Sequence, residues 1–71
     1  MKYLIIYEKT GTGYSAYAPD LPGCIAGGVT LEETAELMRD AILMHLEAMR
    51  ADGGQIPEPT TRADYIEAPA A

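Results

Sequence analysis

Eleven carboxylates, one thiol and one imidazole are the groups in this 71-residue sequence that can carry chemistry. Carboxylates that converge on one point hold magnesium for phosphodiester cleavage. Here Glu32, Glu33, Glu36, Asp40 and Glu47 recur along a single stretch and read as the solvated side of one helix, while the first apolar segment offers no carboxylate before Glu8 at its end. Asp20 lies in a proline-flanked turn, Pro19-Asp20-Leu21-Pro22, where aspartate commonly bonds its own backbone. Neither pattern makes a metal nuclease. Cys24 has no activating base beside it in sequence, and a lone free cysteine is most often a buried small hydrophobe. His45 has Ala41 and Met49 at i±4, so no second side chain completes a metal site on that helix face. Two glycine clusters invite a phosphate-loop reading. Gly11-Thr12-Gly13 leads into a strand instead of a helix N-terminus and has no lysine placed for phosphate, whereas Gly27-Gly28 precedes a first turn whose Glu32 and Glu33 repel an anion. Both read as turns. The chain is thus expected to be a non-enzymatic binding protein with no cofactor and no metal.

The elements that position these residues are legible from hydrophobic period and breakers. Lys2 to Lys9 reads as a strand, with Tyr3, Leu4, Ile5, Ile6 and Tyr7 apolar on both alternating faces, which predicts that both faces are covered. Thr10 to Gly13 is a hairpin turn, and Tyr14 to Ala18 an antiparallel second strand ended by Pro19, which cannot donate to a ladder. After the Asp20–Gly23 turn, Cys24 to Gly28 forms a short third strand. Thr30 and Glu33 have the spacing of a capping box, predicting a helix that runs to about Ala51 and stops at Asp52-Gly53-Gly54. Its apolar stripe of Leu31, Ala35, Met38, Ile42, Leu46 and Met49 is widened by Leu37, Ala41, Met44 and Ala48 to about 200°, roughly twice the usual arc of a surface helix. Either the helix sinks deeply into its own core or it meets a second chain; the second reading is preferred. Tyr65 to Glu67 is expected to add a fourth strand after the extended Ile56–Pro59 link. The predicted architecture is α+β, β-β-β-α-β: a three- to four-stranded, mostly antiparallel sheet with one helix packed on it, one domain over 1–71, core 2–67 and tail 68–71.

Size and charge narrow the function. A chain this short buries only about 60% of its unfolded surface, and one cysteine with one histidine supplies neither a disulfide nor a zinc site. Self-association, as a dimer or tetramer, is the remaining source of stability, with Leu37, Ala41 and Met44 as the candidate contact and the tyrosines of the first two strands as the alternative. A net charge of −6 opposes phosphate-backbone binding and favours a basic protein partner. No run approaches the roughly 18 apolar residues of a membrane span, and the N-terminal segment lacks the features of a signal peptide. A cytoplasmic location is expected.

The stretch Tyr14-Ser15-Ala16-Tyr17-Ala18-Pro19-Asp20-Leu21-Pro22-Gly23-Cys24, followed by Gly28, Thr30 and Glu33, resembles the HicB family of antitoxins. The PDLPGC turn is the specific part, and the likeness runs from about Lys2 to Pro59. It implies a partial ribonuclease-H-like fold without the catalytic acids, and a HicA-type partner: a small basic ribonuclease, blocked at its RNA-binding and active surface. Longer family members often add a C-terminal DNA-binding domain; nothing after Pro59 here is long or basic enough, so direct DNA binding is not expected. Two surfaces are candidates for partner contact: the loop Pro19, Asp20, Leu21, Pro22, Gly23 and Cys24, and the acidic helix face Glu33, Glu36, Asp40 and Glu47. The alternative to an antitoxin is an orphan oligomeric module, structural or regulatory, of the same fold.

Overall fold

The structure is a computed structural model that describes residues 1–70. Three antiparallel strands, β1 (Ile6–Lys9), β2 (Tyr14–Tyr17) and β3 (Ile25–Gly28), form one sheet in the order β1-β2-β3, followed by α1 (Leu31–Ala51). The fold is α+β, as the sequence predicts. The hairpin closes through Thr10, whose N–H donates to the Gly13 carbonyl at 2.8 Å and whose Oγ1 accepts from the Gly13 N–H at 3.0 Å. Register then follows, with Ile6 opposite Tyr17 and Tyr7 opposite Ala16, while Tyr17 faces Ile25 across the second ladder.

Two expectations change. The first strand starts at Ile6, not Lys2. Ile6 pairs with Tyr17, the last residue of β2, and beyond it the chain turns at Pro19, so earlier residues have no ladder partner. No fourth strand forms at Tyr65–Glu67; Tyr65 is 100% exposed. The chain there is tied back at its root, where the Tyr3 hydroxyl donates to the Pro57 carbonyl and Asp20 receives Thr60 and Thr61. Residues 63–65 lie beside residues 4–7 across a cleft of about 460 Å³ and form no ladder with them. Residues 68–70 are exposed; position 71 lies outside the described residues.

The helix begins where the sequence predicts. Thr30 is the N-cap in extended conformation, its Oγ1 accepts from the Glu33 N–H at 3.0 Å, and the Glu33 carboxylate accepts from the Val29 N–H at 2.8 Å. Gly53, at φ +74°, follows the Asp52 C-cap. The helix packs chiefly on β3 and β2. Gly28 permits that approach, because a Cβ there would lie 2.8 Å from Thr34 Oγ1. Thr34, fully buried, donates its hydroxyl to the Thr30 carbonyl at 2.8 Å and so leaves no polar atom stranded. The buried core is small: Ala16, Ala18, Leu21, Cys24 and Met38, with Tyr3, Ile5, Ala26, Ala41, Ile42 and Leu46 packed around it.

One helix covers one face. Alternation puts Ala16, Ala26 and Tyr7 on the helix side and the row Ile6, Tyr17 and Ile25 on the other. The apolar pattern of the first strand predicts cover on both sides; on the other side Ile6 is half-buried beside residues 63–65, whereas Tyr17 and Ile25 are exposed.

Candidate functional site

The Pro19–Cys24 loop is built as two successive turns. The Leu21 N–H donates to the Ala18 carbonyl at 3.0 Å, the Cys24 N–H to the Leu21 carbonyl at 3.0 Å, and the Ala18 N–H to the Cys24 carbonyl at 3.2 Å. Gly23 sits at φ +85°, a left-handed conformation that a side chain resists. Leu21 and Cys24 are buried in the core, Pro19 and Asp20 are half-buried, and Pro22 and Gly23 are exposed. Burial pushes the Cys24 thiol pKa up, away from the thiolate a nucleophile requires.

Asp20 does not bond its own turn, as its position suggested. Its Oδ2 accepts from the backbone N–H groups of Thr60 and Thr61, both at 3.0 Å, and its Oδ1 from their hydroxyls at 3.2 and 2.6 Å. Two oxygens thus meet four donors from a segment forty residues away. The Thr61 hydroxyl above all, with the Thr61 and Thr60 backbone and the Thr60 hydroxyl, holds the Asp20 carboxyl below the usual carboxylate range.

The acidic face is divided. Glu33 is engaged at the helix cap, whereas Glu36, Asp40 and Glu47 are exposed on one side of α1. Their spacing (i, i+4, i+11) leaves a place at i+7, and Leu43 fills it, 58% exposed at the edge of the acidic stripe, with the exposed Arg39 at i−4 on its other side. Sequence reasoning passed over Leu43, although a leucine on the polar side of the helical wheel is a readable signal. Next to this stripe runs the flank proposed from sequence: Leu37 and Met44 are exposed and Ala41 is half-buried. Ala41 and Met44 line a depression of about 340 Å³ with Gly23, Cys24, Ile25 and His45. The loop and the helix flank, separate candidates in the sequence, therefore adjoin through Ile25. Among the described residues no three His, Cys, Asp or Glu side chains cluster as a metal site, and no helix is long and apolar enough to cross a membrane.

Comparison with known proteins agrees with this architecture. A family model described as the HicB-like antitoxin of bacterial toxin-antitoxin systems matches residues 3–71. An uncharacterized 14.9 kDa protein of Haemophilus phage HP1 is 38% identical over 69 residues, covering 97% of this chain and 52% of that protein. Antitoxin HicB 2 of Photorhabdus laumondii is 32% identical over 71 residues, covering 99% of this chain and 51% of that one. The chain thus spans about half the length of these two relatives. A solved HicA3 and HicB3 toxin-antitoxin complex contains a chain with TM-score 0.72 and 32% identity, covering 84% of this chain and 70% of that one. The chain belongs to the HicB-like antitoxin family.

Proposed function

We propose that this protein is an antitoxin that neutralises a small, basic HicA-like ribonuclease by occupying its RNA-binding and active surface. The observation that carries the reading is the α1 stripe, where Glu36, Asp40 and Glu47 flank the exposed Leu43. A basic surface built for phosphates meets carboxylates there, and an apolar anchor among them supplies the desolvated contact that lowers dissociation. A net charge of −6 gives the same partner a favourable approach. The solved HicA3 and HicB3 complex supports the partner class. Pro22 and Gly23, the exposed part of the Pro19–Cys24 loop, form a second contact at the far side of the Met44 depression. Inhibition then needs no chemistry from this chain, which acts by excluding RNA in the cytoplasm.

The test is co-expression with a small basic HicA-like ribonuclease, taken from beside this chain's gene where one is encoded there. The native sequence should restore growth, and Leu43→Arg combined with Glu36→Lys should fail to restore it while keeping its circular dichroism spectrum. Rescue by the doubly substituted protein would exclude the stripe as the docking surface. Failure of the native sequence to bind or rescue would leave the orphan-module reading.

A further inference from the structure

Four hydrogen bonds join the Pro19–Cys24 loop to residues forty positions away, and all four converge on one side chain. An ionised carboxylate offers about four lone-pair sites. On Asp20 all are taken, Oδ2 by the Thr60 and Thr61 amides and Oδ1 by the two hydroxyls. An arginine or lysine of a basic partner can reach this carboxylate only by displacing the strap that carries Thr60 and Thr61. The exposed part of the loop has little else to hold it. Its three internal backbone bonds begin and end at Ala18, Leu21 and Cys24, so none reaches Asp20, Pro22 or Gly23. Pro19 and Pro22 have no N–H to offer, and Gly23 has no side chain to pack. The strap is better anchored: Ile56, Pro57 and Pro59 are half-buried, the Pro57 carbonyl accepts from the Tyr3 hydroxyl, and the two prolines fix φ along it.

We propose that Asp20 is a positioning residue for partner docking: clamped by Thr60 and Thr61, it holds Pro22 and Gly23 in the shape that the basic ribonuclease meets, without touching that partner itself. The proposal rests on the antitoxin reading above and adds the strap, residues 56–61, to the parts that recognition depends on. A loop already held in its bound shape gives up less freedom on docking. Once the clamp is released, only those molecules whose loop is in that shape bind, and the on-rate falls by their fraction. Dissociation changes little, because the contacts made after docking are the same. Losing a direct contact does the reverse, raising the dissociation rate while the on-rate stays near its native value. The two roles therefore leave different kinetic signatures.

The experiment measures both rates for the full chain against the HicA-like ribonuclease of the co-expression test. Two variants are compared with the native chain, each verified as folded by circular dichroism at the assay temperature. Thr60→Val with Thr61→Val, both at exposed positions, removes the two hydroxyl bonds at constant charge and nearly constant shape. Asp20→Asn removes the carboxylate. The on-rate of Asp20→Asn should fall about tenfold, the effect of a competent population reduced to about a tenth. The double valine variant should show a smaller fall in the same direction, and both should dissociate at the native rate. Asp20→Asn also changes net charge from −6 to −5, so its deficit must persist at high salt, where steering is screened. Native on-rates in both variants would overturn the proposal and leave the antitoxin reading standing. A faster dissociation with a native on-rate would make Asp20 a contact residue and overturn it equally. Absence of binding by the native chain would remove the antitoxin reading and this proposal together.

Discussion

Leu21 stands in the middle of the PDLPGC loop yet has no exposed surface, and shortening it separates the loop's part in folding from any part in recognition. Leu21→Ala removes three carbon atoms from a core whose other buried hydrophobic members are two alanines, a cysteine and Met38. A buried leucine cut to alanine costs about 2–5 kcal/mol, the upper part where the cavity does not collapse. Neither turn hydrogen bond of Leu21 involves its side chain, so the backbone holds the loop in place and collapse is restricted. Total stability for 71 residues is ~4–10 kcal/mol at ~0.05–0.15 kcal/mol per residue. A loss of ~3 kcal/mol is thus a large part of the whole, and at ~4–8 °C per kcal/mol it lowers Tm by ~12–24 °C. The assay is thermal and urea unfolding followed by circular dichroism, with partner binding measured at a temperature where the variant remains folded. A Tm change of only a few degrees would refute the core assignment. Normal stability with lost binding would instead make Leu21 a contact residue.

The other expectations are shorter. Gly23→Val should destabilise by about 1–3 kcal/mol, because φ is +85° and the space around its missing Cβ is empty, so the cost is conformational and not steric crowding; Gly23→Asn should cost less, and an equal Tm for valine and glycine would show that the turn is wrongly described. Thr30→Ala should cost about 1 kcal/mol through the lost bond to the Glu33 N–H, read as a lower urea midpoint. The Asp20 clasp should hold above the ordinary carboxylate value of 3.8 and fail as pH falls through the lower value of the folded state, since only the ionised carboxylate accepts all four donors; hydrogen exchange at the Thr60 and Thr61 amides should show the loss on acidification and, at neutral pH, in Asp20→Asn. Undiminished protection in that variant would contradict the clasp. Association with a basic ribonuclease should slow markedly as salt rises while dissociation changes less, and a salt-independent on-rate in stopped-flow mixing would remove the steering argument.

What the sequence determined by itself was local. The helix start at Thr30, its stop at Gly53, the hairpin at Thr10–Gly13 and the glycine at Gly23 are each written in residues a few positions apart, because caps and turns are closed by hydrogen bonds over three or four residues. The family likeness was legible for the same reason, since it rests on one compact loop. What required the tertiary structure was every pairing across the chain. Asp20 reaches Thr60 and Thr61 across forty residues, and in sequence a turn aspartate looks the same whether it bonds its own backbone or a distant strap. Tyr65 and Ile66 have strand-forming side chains, but a strand exists only where a neighbour pairs with it, and both stay exposed with no ladder partner. The wide apolar arc of α1 was visible, yet only packing decided that Met38 is buried while Leu37 and Met44 face outward. The sheet offers the helix one face of limited width, and residues beyond that width remain for another molecule to cover.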